Sequence, residues 1–94
     1  MPPATVRVHV PMPLRSCCGG AAELQVAAHS VREVLGEIER RHPSLHRGLC
    51  DDTGAVRRHI GVFVNREHVR DCGGIDAALA PGDLVLFLPA VSGG

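Results

Sequence analysis

Lysine, tryptophan and tyrosine are absent from this chain of 94 residues, and phenylalanine occurs only twice. Because a phosphate-binding loop of the Gly-Lys-Ser type needs a lysine, we do not expect the chain to hydrolyse ATP by itself. Ten arginines are balanced by ten acidic residues, and neither Arg40-Arg41 nor Arg57-Arg58 is a patch that could follow a nucleic acid backbone. We expect both pairs on the solvated surface, and nucleic acid is not an expected partner.

Long apolar runs are also missing. No stretch approaches the roughly 18 consecutive apolar residues that mark a membrane-spanning helix. The opening residues Met1-Pro2-Pro3-Ala4-Thr5 lack the charged and apolar segments of a secretion signal. We therefore expect a soluble, cytoplasmic protein that does not bind membranes, with room for one folded domain.

The four cysteines, Cys17, Cys18, Cys50 and Cys72, are too few for a disulfide scaffold and are expected to be reduced thiols. They lack the paired Cys-x-x-Cys spacing of a zinc site, and they do not cluster on one loop as in iron-sulfur carriers. His68 and Cys72 together supply at most half a metal site. We predict no metal site, no bound cofactor and no catalytic group of side chains.

The first third of the chain predicts a hairpin. Val6, Val8 and Val10 alternate with polar residues, which indicates a strand with one buried face. Residues 14–22 are interpreted as a turn, and the alternation over residues 23–27 predicts a second, antiparallel strand.

A helix is predicted to begin at Val31, because Ser30 and Glu33 have the spacing of a capping box. Pro43 ends it. Its apolar face consists of Val31, Val34, Leu35 and Ile38, with His42 as the polar end.

The remaining elements follow in order. We expect a short turn over residues 45–49 and a loop over 50–54. A third strand is predicted over 60–64, and a tight connection at 65–66 leads to a fourth strand over 67–70. Residues 71–74 are predicted to turn, residues 77–79 to form one helical turn, and Pro81-Gly82-Asp83 to form a turn before a final strand over 84–88. The order predicts an α+β fold in which a mixed sheet of four to five strands packs on one main helix. We assign residues 1–89 to this domain and residues 90–94 to a flexible tail.

The final strand is apolar at every position, although its side chains must point alternately to two faces. We place Val85 and Phe87 in the core because Phe is the larger group to bury. Leu84, Leu86 and Leu88 then point outward. Such an apolar stripe beside the tail is either a docking surface for a partner or is covered by loops.

Beyond Pro89, which lacks a backbone donor and ends the sheet pairing, the side chains are small or absent. The tail residues are Ala90, Val91, Ser92, Gly93 and Gly94. They could thread in extended form into a narrow channel of another protein, since glycine lets a foreign backbone or nucleotide approach closely. A frayed terminus is the plainer alternative.

The candidate reactive group is the Gly94 carboxylate. It is ionised at neutral pH and is therefore a poor electrophile. Activation has to come from a partner that uses ATP to make an acyl-adenylate, from which a sulfur donor or an amine then displaces AMP. The chain would act as a group carrier rather than as an enzyme.

The ending Gly-Asp-x-Val-x-Phe-Leu-Pro-Ala-Val-x-Gly-Gly over residues 82–94, with Val-x-Val-Asn over 62–65, resembles the ubiquitin-like β-grasp sulfur carriers of the ThiS/MoaD family. The resemblance covers essentially the whole chain. Within the family, the chain looks most similar to the CysO-type carriers, although Ser92 stands where these often have Ala. It implies a β-grasp fold. It also implies that a ubiquitin-activating-like enzyme adenylates Gly94 and converts it to a thiocarboxylate. Leu88 would lie in the interface with such partners, beside Pro89.

Such carriers donate sulfur for cysteine, molybdopterin, thiamin or secondary metabolites such as thiosugars, so a sulfur-accepting biosynthetic enzyme is the second expected partner. A small neutral carrier of this kind is expected to be a monomer. Two alternatives stay open: a protein modifier joined through Gly94 to lysines of target proteins, and a plain interaction domain whose glycines do nothing.

Overall fold

The computed structural model describes residues 3–89. Five strands and two α-helices follow one another as β1 (Ala4–His9), β2 (Glu23–Ala28), α1 (Val31–Arg41), α2 (Pro43–Leu49), β3 (Ile60–Val64), β4 (Glu67–His68) and β5 (Leu84–Pro89). Two 3₁₀ helices, Met12–Cys18 and Val69–Cys72, lie in the connections. No helix within the described part of the chain is long and apolar enough to cross a membrane.

The strands form one mixed sheet in the order β2-β1-β5-β3-β4. The predicted hairpin is confirmed, because β1 and β2 pair antiparallel from Ala4 opposite Ala28 to His9 opposite Glu23. The last strand, β5, lies in the middle. It runs parallel to β1 on one side and antiparallel to β3 on the other. Both edges of β5 are therefore paired, whereas its outward side chains remain half-buried or exposed.

The capping box forms, but one of its two hydrogen bonds has a different backbone partner from the one predicted. The Ser30 hydroxyl accepts a hydrogen bond from the Glu33 backbone N–H at 3.3 Å, as expected. The Glu33 carboxylate reaches back to the backbone N–H of His29, at 2.8 Å, rather than to that of Ser30. The two bonds satisfy the backbone N–H groups of Glu33 and His29 at the start of α1. The helix begins at Val31, as predicted.

The core lies between α1 and one face of the sheet. Its largest fully buried side chains are Phe87, Ile38, Leu45, Leu49, Val6, Val8, Val10, Val31, Val34, Val85 and Cys50. They come from the predicted apolar faces of α1, β1 and β5, and also from α2. A mixed sheet that wraps around one main helix in this strand order is the β-grasp fold, so the fold-class prediction is confirmed.

Two connections are more helical than the sequence indicated. The segment interpreted as a turn over residues 14–22 overlaps the 3₁₀ helix Met12–Cys18, whose first turn includes Pro13 at a position where no backbone donor is needed. The short turn expected over residues 45–49 is the helix α2. His42 is the junction of the two helices: it is half-buried, and its backbone N–H caps α1 through Ile38.

Of two predicted elements between β3 and β5, the fourth strand is confirmed but is shorter than predicted, and the helical turn is wrong. The fourth strand stops at His68, because Val69 turns into the core and the His68 ring accepts the backbone N–H of Arg70 at 3.1 Å. The helical turn over residues 77–79 does not form. Its backbone pairs with the start of α1 instead, through a bridge between Ser30 and Ala78 and a bond from Leu79 N–H to the His29 carbonyl.

Candidate partner-docking face and tail exit

The outward side chains of β5 lie where alternation placed them. Val85 and Phe87 are fully buried, whereas Leu88 is 41% exposed. Leu84 and Leu86 are half-buried, so the stripe is less open than the sequence suggested. The three leucines share the face of the sheet that α1 does not cover, which we call the outer face.

Phe63 belongs to the outer face and was missed by the sequence analysis. It lies directly opposite Leu86 on β3, and paired residues on neighbouring strands share a face. Its ring lies over Gly61, where an added Cβ would be 3.1 Å from the ring atom Cε1. The His68 ring meets it edge-on with centroids 5.1 Å apart. The alternation within residues 60–64 already pointed Gly61 and Phe63 to the face opposite Val62.

The apolar part of the outer face has a polar margin on β1. Arg7 and His9 lie opposite Leu84 and Leu86, and Arg7 forms an exposed ion pair with Glu23 of β2 at 3.8 Å. The outer face is therefore apolar over β5 and β3 and charged over β1 and β2.

Pro89 marks the tail exit, by which we mean the end of β5 beside Ile60, its partner on β3. By alternation Pro89 lies on the side of α1 and not with the three leucines, and it is exposed because the strand runs past the core there. Three exposed residues, Arg57, Arg58 and His59, precede Ile60. The predicted reactive residue Gly94 and the tail residues Ala90, Val91, Ser92 and Gly93 lie outside the described residues.

Hydrogen bonds to Asn65 hold the opposite end of β5. Asn65 has a left-handed backbone, with φ of 58°, and its N–H donates to the Leu84 carbonyl at 2.7 Å. Its side-chain oxygen accepts the Leu84 N–H at 3.0 Å, and its side-chain nitrogen donates to the Asp83 carboxylate at 3.1 Å. These bonds fix where β5 begins relative to β3, and so fix which of its residues point outward.

The surroundings of Cys50 and Cys72 disfavour a reactive thiol at either position. Burial raises the pKa of the Cys50 thiol, and the nearby Asp51 carboxylate adds to it. Partial burial raises the pKa of Cys72 too, followed by the effect of Glu67. Both thiols are thereby kept protonated and weakly nucleophilic. No group of three potential metal ligands is brought together anywhere in residues 3–89.

A polar cleft of about 570 Å³ opens on the other side of the molecule, between α1, α2 and residues 51–57. Its charged groups are largely engaged with their own surroundings. Arg57 donates from Nε and Nη2 to the Arg47 carbonyl, at 3.2 and 3.0 Å, and Asp51 accepts from Thr53 and Ala55. These hydrogen bonds stabilise the loop that precedes β3.

The central strand that leads into the C-terminal residues, with an apolar outer face beside it, defines a ubiquitin-like β-grasp domain. The ThiS family model matches residues 8–94, and the chain belongs to the ThiS family. The sulfur carrier protein CysO of Mycobacterium tuberculosis is 34% identical over 91 residues, which cover 95% of this chain and 98% of that protein.

Solved structures agree with this assignment. The crystal structure of Mycobacterium tuberculosis CysO superposes with a TM-score of 0.82 over 92% of this chain and 99% of that one, at 33% identity. A chain of the Amycolatopsis orientalis BexX/CysO complex gives 0.83 at 36% identity, over 95% and 99% of the two chains. The small archaeal modifier protein SAMP1 of Methanosarcina acetivorans gives 0.84 at 26% identity, over 98% of both.

Proposed function

We propose that this protein is a sulfur carrier of the CysO type, which holds sulfur as a thiocarboxylate on Gly94. The observation that carries the proposal is the family match, which extends through the terminal glycines to residue 94. The similarity to CysO over 95% of the chain supports the carrier role in particular.

The chemistry rests on activation by a partner. The ionised Gly94 carboxylate resists nucleophilic attack, so a ubiquitin-activating-like enzyme first joins it to AMP from ATP and releases pyrophosphate. A sulfur donor then forms the carbon–sulfur bond as AMP leaves, which yields the thiocarboxylate. The sulfur then forms a bond to the acceptor, and water cleaves the bond between that sulfur and the Gly94 carbonyl carbon, which restores the carboxylate. In this scheme ATP is bound by the partner, and this chain is a carrier and cosubstrate.

The outer face is the proposed docking surface for these partners. Leu88 and Phe63 provide apolar contact area on the side of the outer face nearer the tail exit. At the other end of β5, the hydrogen bonds to Asn65 fix where the strand begins. A rigid docking face places the tail without further ordering of the domain, which reduces the entropy lost on binding. Leu84 and Leu86 contribute only their accessible parts, since both are half-buried. Pro89 meets the partner from the other side of the strand.

The tail residues are assigned to threading. Ala90, Val91, Ser92 and Gly93 carry at most small side chains, which suits a channel that closes around an extended backbone before it reaches the adenylation site. A CysO of similar sequence exists in complex with BexX, which supports recognition of such carriers by partner proteins. We place the chain in cytoplasmic biosynthesis, with cysteine as the first product to test.

The test is the intact mass of the purified chain before and after incubation with ATP, a sulfide source and a ubiquitin-activating-like enzyme from the same cell. We expect one oxygen to be replaced by one sulfur. A variant that lacks Gly94 is the matched control and should keep its mass. An unchanged mass of the intact chain, with an enzyme shown to be active on another carrier, would contradict the proposal.

Protein modification is the second candidate, favoured by the similarity to SAMP1 over 98% of both chains. The activated Gly94 would then pass to lysines of target proteins. Because the chain contains no lysine, it cannot extend itself into chains through its own side chains, and single conjugates are expected. A ladder of conjugate masses in a cell extract, absent for the Gly94 deletion, would favour this function.

A further inference from the structure

We propose that Arg58 is an electrostatic contact at the tail exit, which meets acidic side chains at the mouth of the activating enzyme's channel. The inference rests on the proposed function, because it needs a partner that encloses the tail.

The sheet register puts Arg58 beside the tail exit. Ile60 lies opposite Pro89 in the antiparallel pair of β3 and β5, so the residues before Ile60 lie at the end of the sheet from which the chain leaves β5. The Ile60 N–H donates to the Arg57 carbonyl at 2.9 Å, which folds residues 57–60 into a turn and keeps them at this end. Arg58 and His59 are both exposed there.

Arg58 has a charge that its own domain does not use. Arg57, its neighbour, is held by two hydrogen bonds to the Arg47 carbonyl. Arg58 has neither a hydrogen bond nor an ion pair within residues 3–89. Its guanidinium is therefore available to a partner's carboxylate, whose geometry it matches with two parallel donors.

The length of the tail indicates which anion Arg58 meets. If the five tail residues thread in extended form, as proposed above, they span about 17 Å, and a nucleotide that reacts at Gly94 would then lie well beyond the tail exit. A three-methylene side chain anchored at the exit cannot follow the tail that far. Arg58 therefore faces the rim of the channel, where acidic side chains of the partner would complement it.

The neutral balance of the chain makes such a local charge effective. With ten basic and ten acidic residues, the molecule has no net charge to attract a partner over a distance. Single exposed charges near the docking face then orient the encounter, and this effect appears mainly in the association rate and its salt dependence.

The test compares Arg58→Glu with Arg66→Glu. Arg66 is also exposed and unpaired within the described residues, but it lies at the opposite end of β3. Both variants should fold, which circular dichroism verifies. Thiocarboxylate formation is followed by intact mass with the activating enzyme, as a function of carrier concentration and at low and high salt.

At low salt we expect Arg58→Glu to lower kcat/KM about tenfold with kcat nearly unchanged, and Arg66→Glu to have little effect. The difference should shrink at high salt, where such charges are screened. Equal rates for the two variants would overturn the inference while leaving the carrier function intact. A faster rate for Arg58→Glu would also overturn it, because Arg58 would then restrain the carrier's own tail. Failure of the unaltered chain to react at all would instead contradict the proposed function.

Discussion

Replacement of Asn65 tests the hydrogen bonds that position the start of β5. The side chain accepts from the Leu84 N–H and donates to Asp83, and the backbone has a φ of 58° that most residues avoid. Alanine at this position removes both side-chain bonds and leaves a Cβ in the left-handed region. Glycine removes the same bonds and adopts this region without strain, so the two variants separate the hydrogen bonds from the backbone conformation.

The expected loss of stability follows from these parts. Two exposed hydrogen bonds at about 0.5 kcal/mol each give about 1 kcal/mol for either variant. Asn65→Ala adds about 1.5 kcal/mol for the left-handed backbone, which gives a total of about 2.5 kcal/mol. Asn65→Gly adds about 0.7 kcal/mol of chain entropy instead, for a total of about 1.7 kcal/mol. Glycine should therefore be the milder change.

Urea unfolding measures both losses. Far-ultraviolet circular dichroism is the suitable signal, because the chain has no tryptophan or tyrosine for fluorescence. The midpoints should rank unaltered chain, Asn65→Gly and Asn65→Ala in descending order, with equal slopes. Asn65→Gly at or below the stability of Asn65→Ala would refute the argument from backbone strain. Two variants as stable as the unaltered chain would refute the argument from the hydrogen bonds.

Two further predictions concern the docking face and the acid stability. Leu88→Asp should slow thiocarboxylate formation about tenfold or more, as expected for a lost leucine contact of about 1.5–3 kcal/mol. Met12→Asp, which changes the other large exposed apolar residue of the described range 3–89, should not slow it, and equal rates for the two variants in the same mass assay would contradict the docking role. The hydrogen-bonded Arg32 guanidinium lowers the pKa of Asp76, so this pair should stabilise the fold above the ordinary Asp pKa of about 3.9 and lose its effect as the pH falls through the lowered value. Asp76→Asn should therefore lower the thermal midpoint at neutral pH but not in strong acid, and an equal deficit at both would argue against the ion pair.

Local signals predicted much of the fold. The strand over residues 60–64 and the start of α1 at Val31 were found because strand composition and a capping box are encoded in a few consecutive residues. α2 was underestimated because its seven residues include Gly48 and are too few for a helical period to stand out. It forms because Leu45 and Leu49, four residues apart, both enter the core.

Some residues of the candidate site could also be predicted from local signals, and others could not. The outward leucines of β5 follow from alternation within a single strand. Alternation alone points Phe63 to the outer face. Only the register of β3 against β5, which pairs segments more than twenty residues apart in the sequence, places Phe63 beside Leu86 and Arg58 beside the tail exit. Tertiary contacts of this kind decide which exposed residues become neighbours, and no local pattern contains them.

The central position of β5 also bears on how the molecule is made. Ribosomes synthesise β5 after every other strand, yet it joins the β1–β2 hairpin to the β3–β4 hairpin, which do not pair with each other. Without that strand nothing joins the two hairpins, and the part of the core that Val85 and Phe87 fill is left empty. A molecule that has lost its last strand to a truncation therefore cannot complete the sheet or form the outer face.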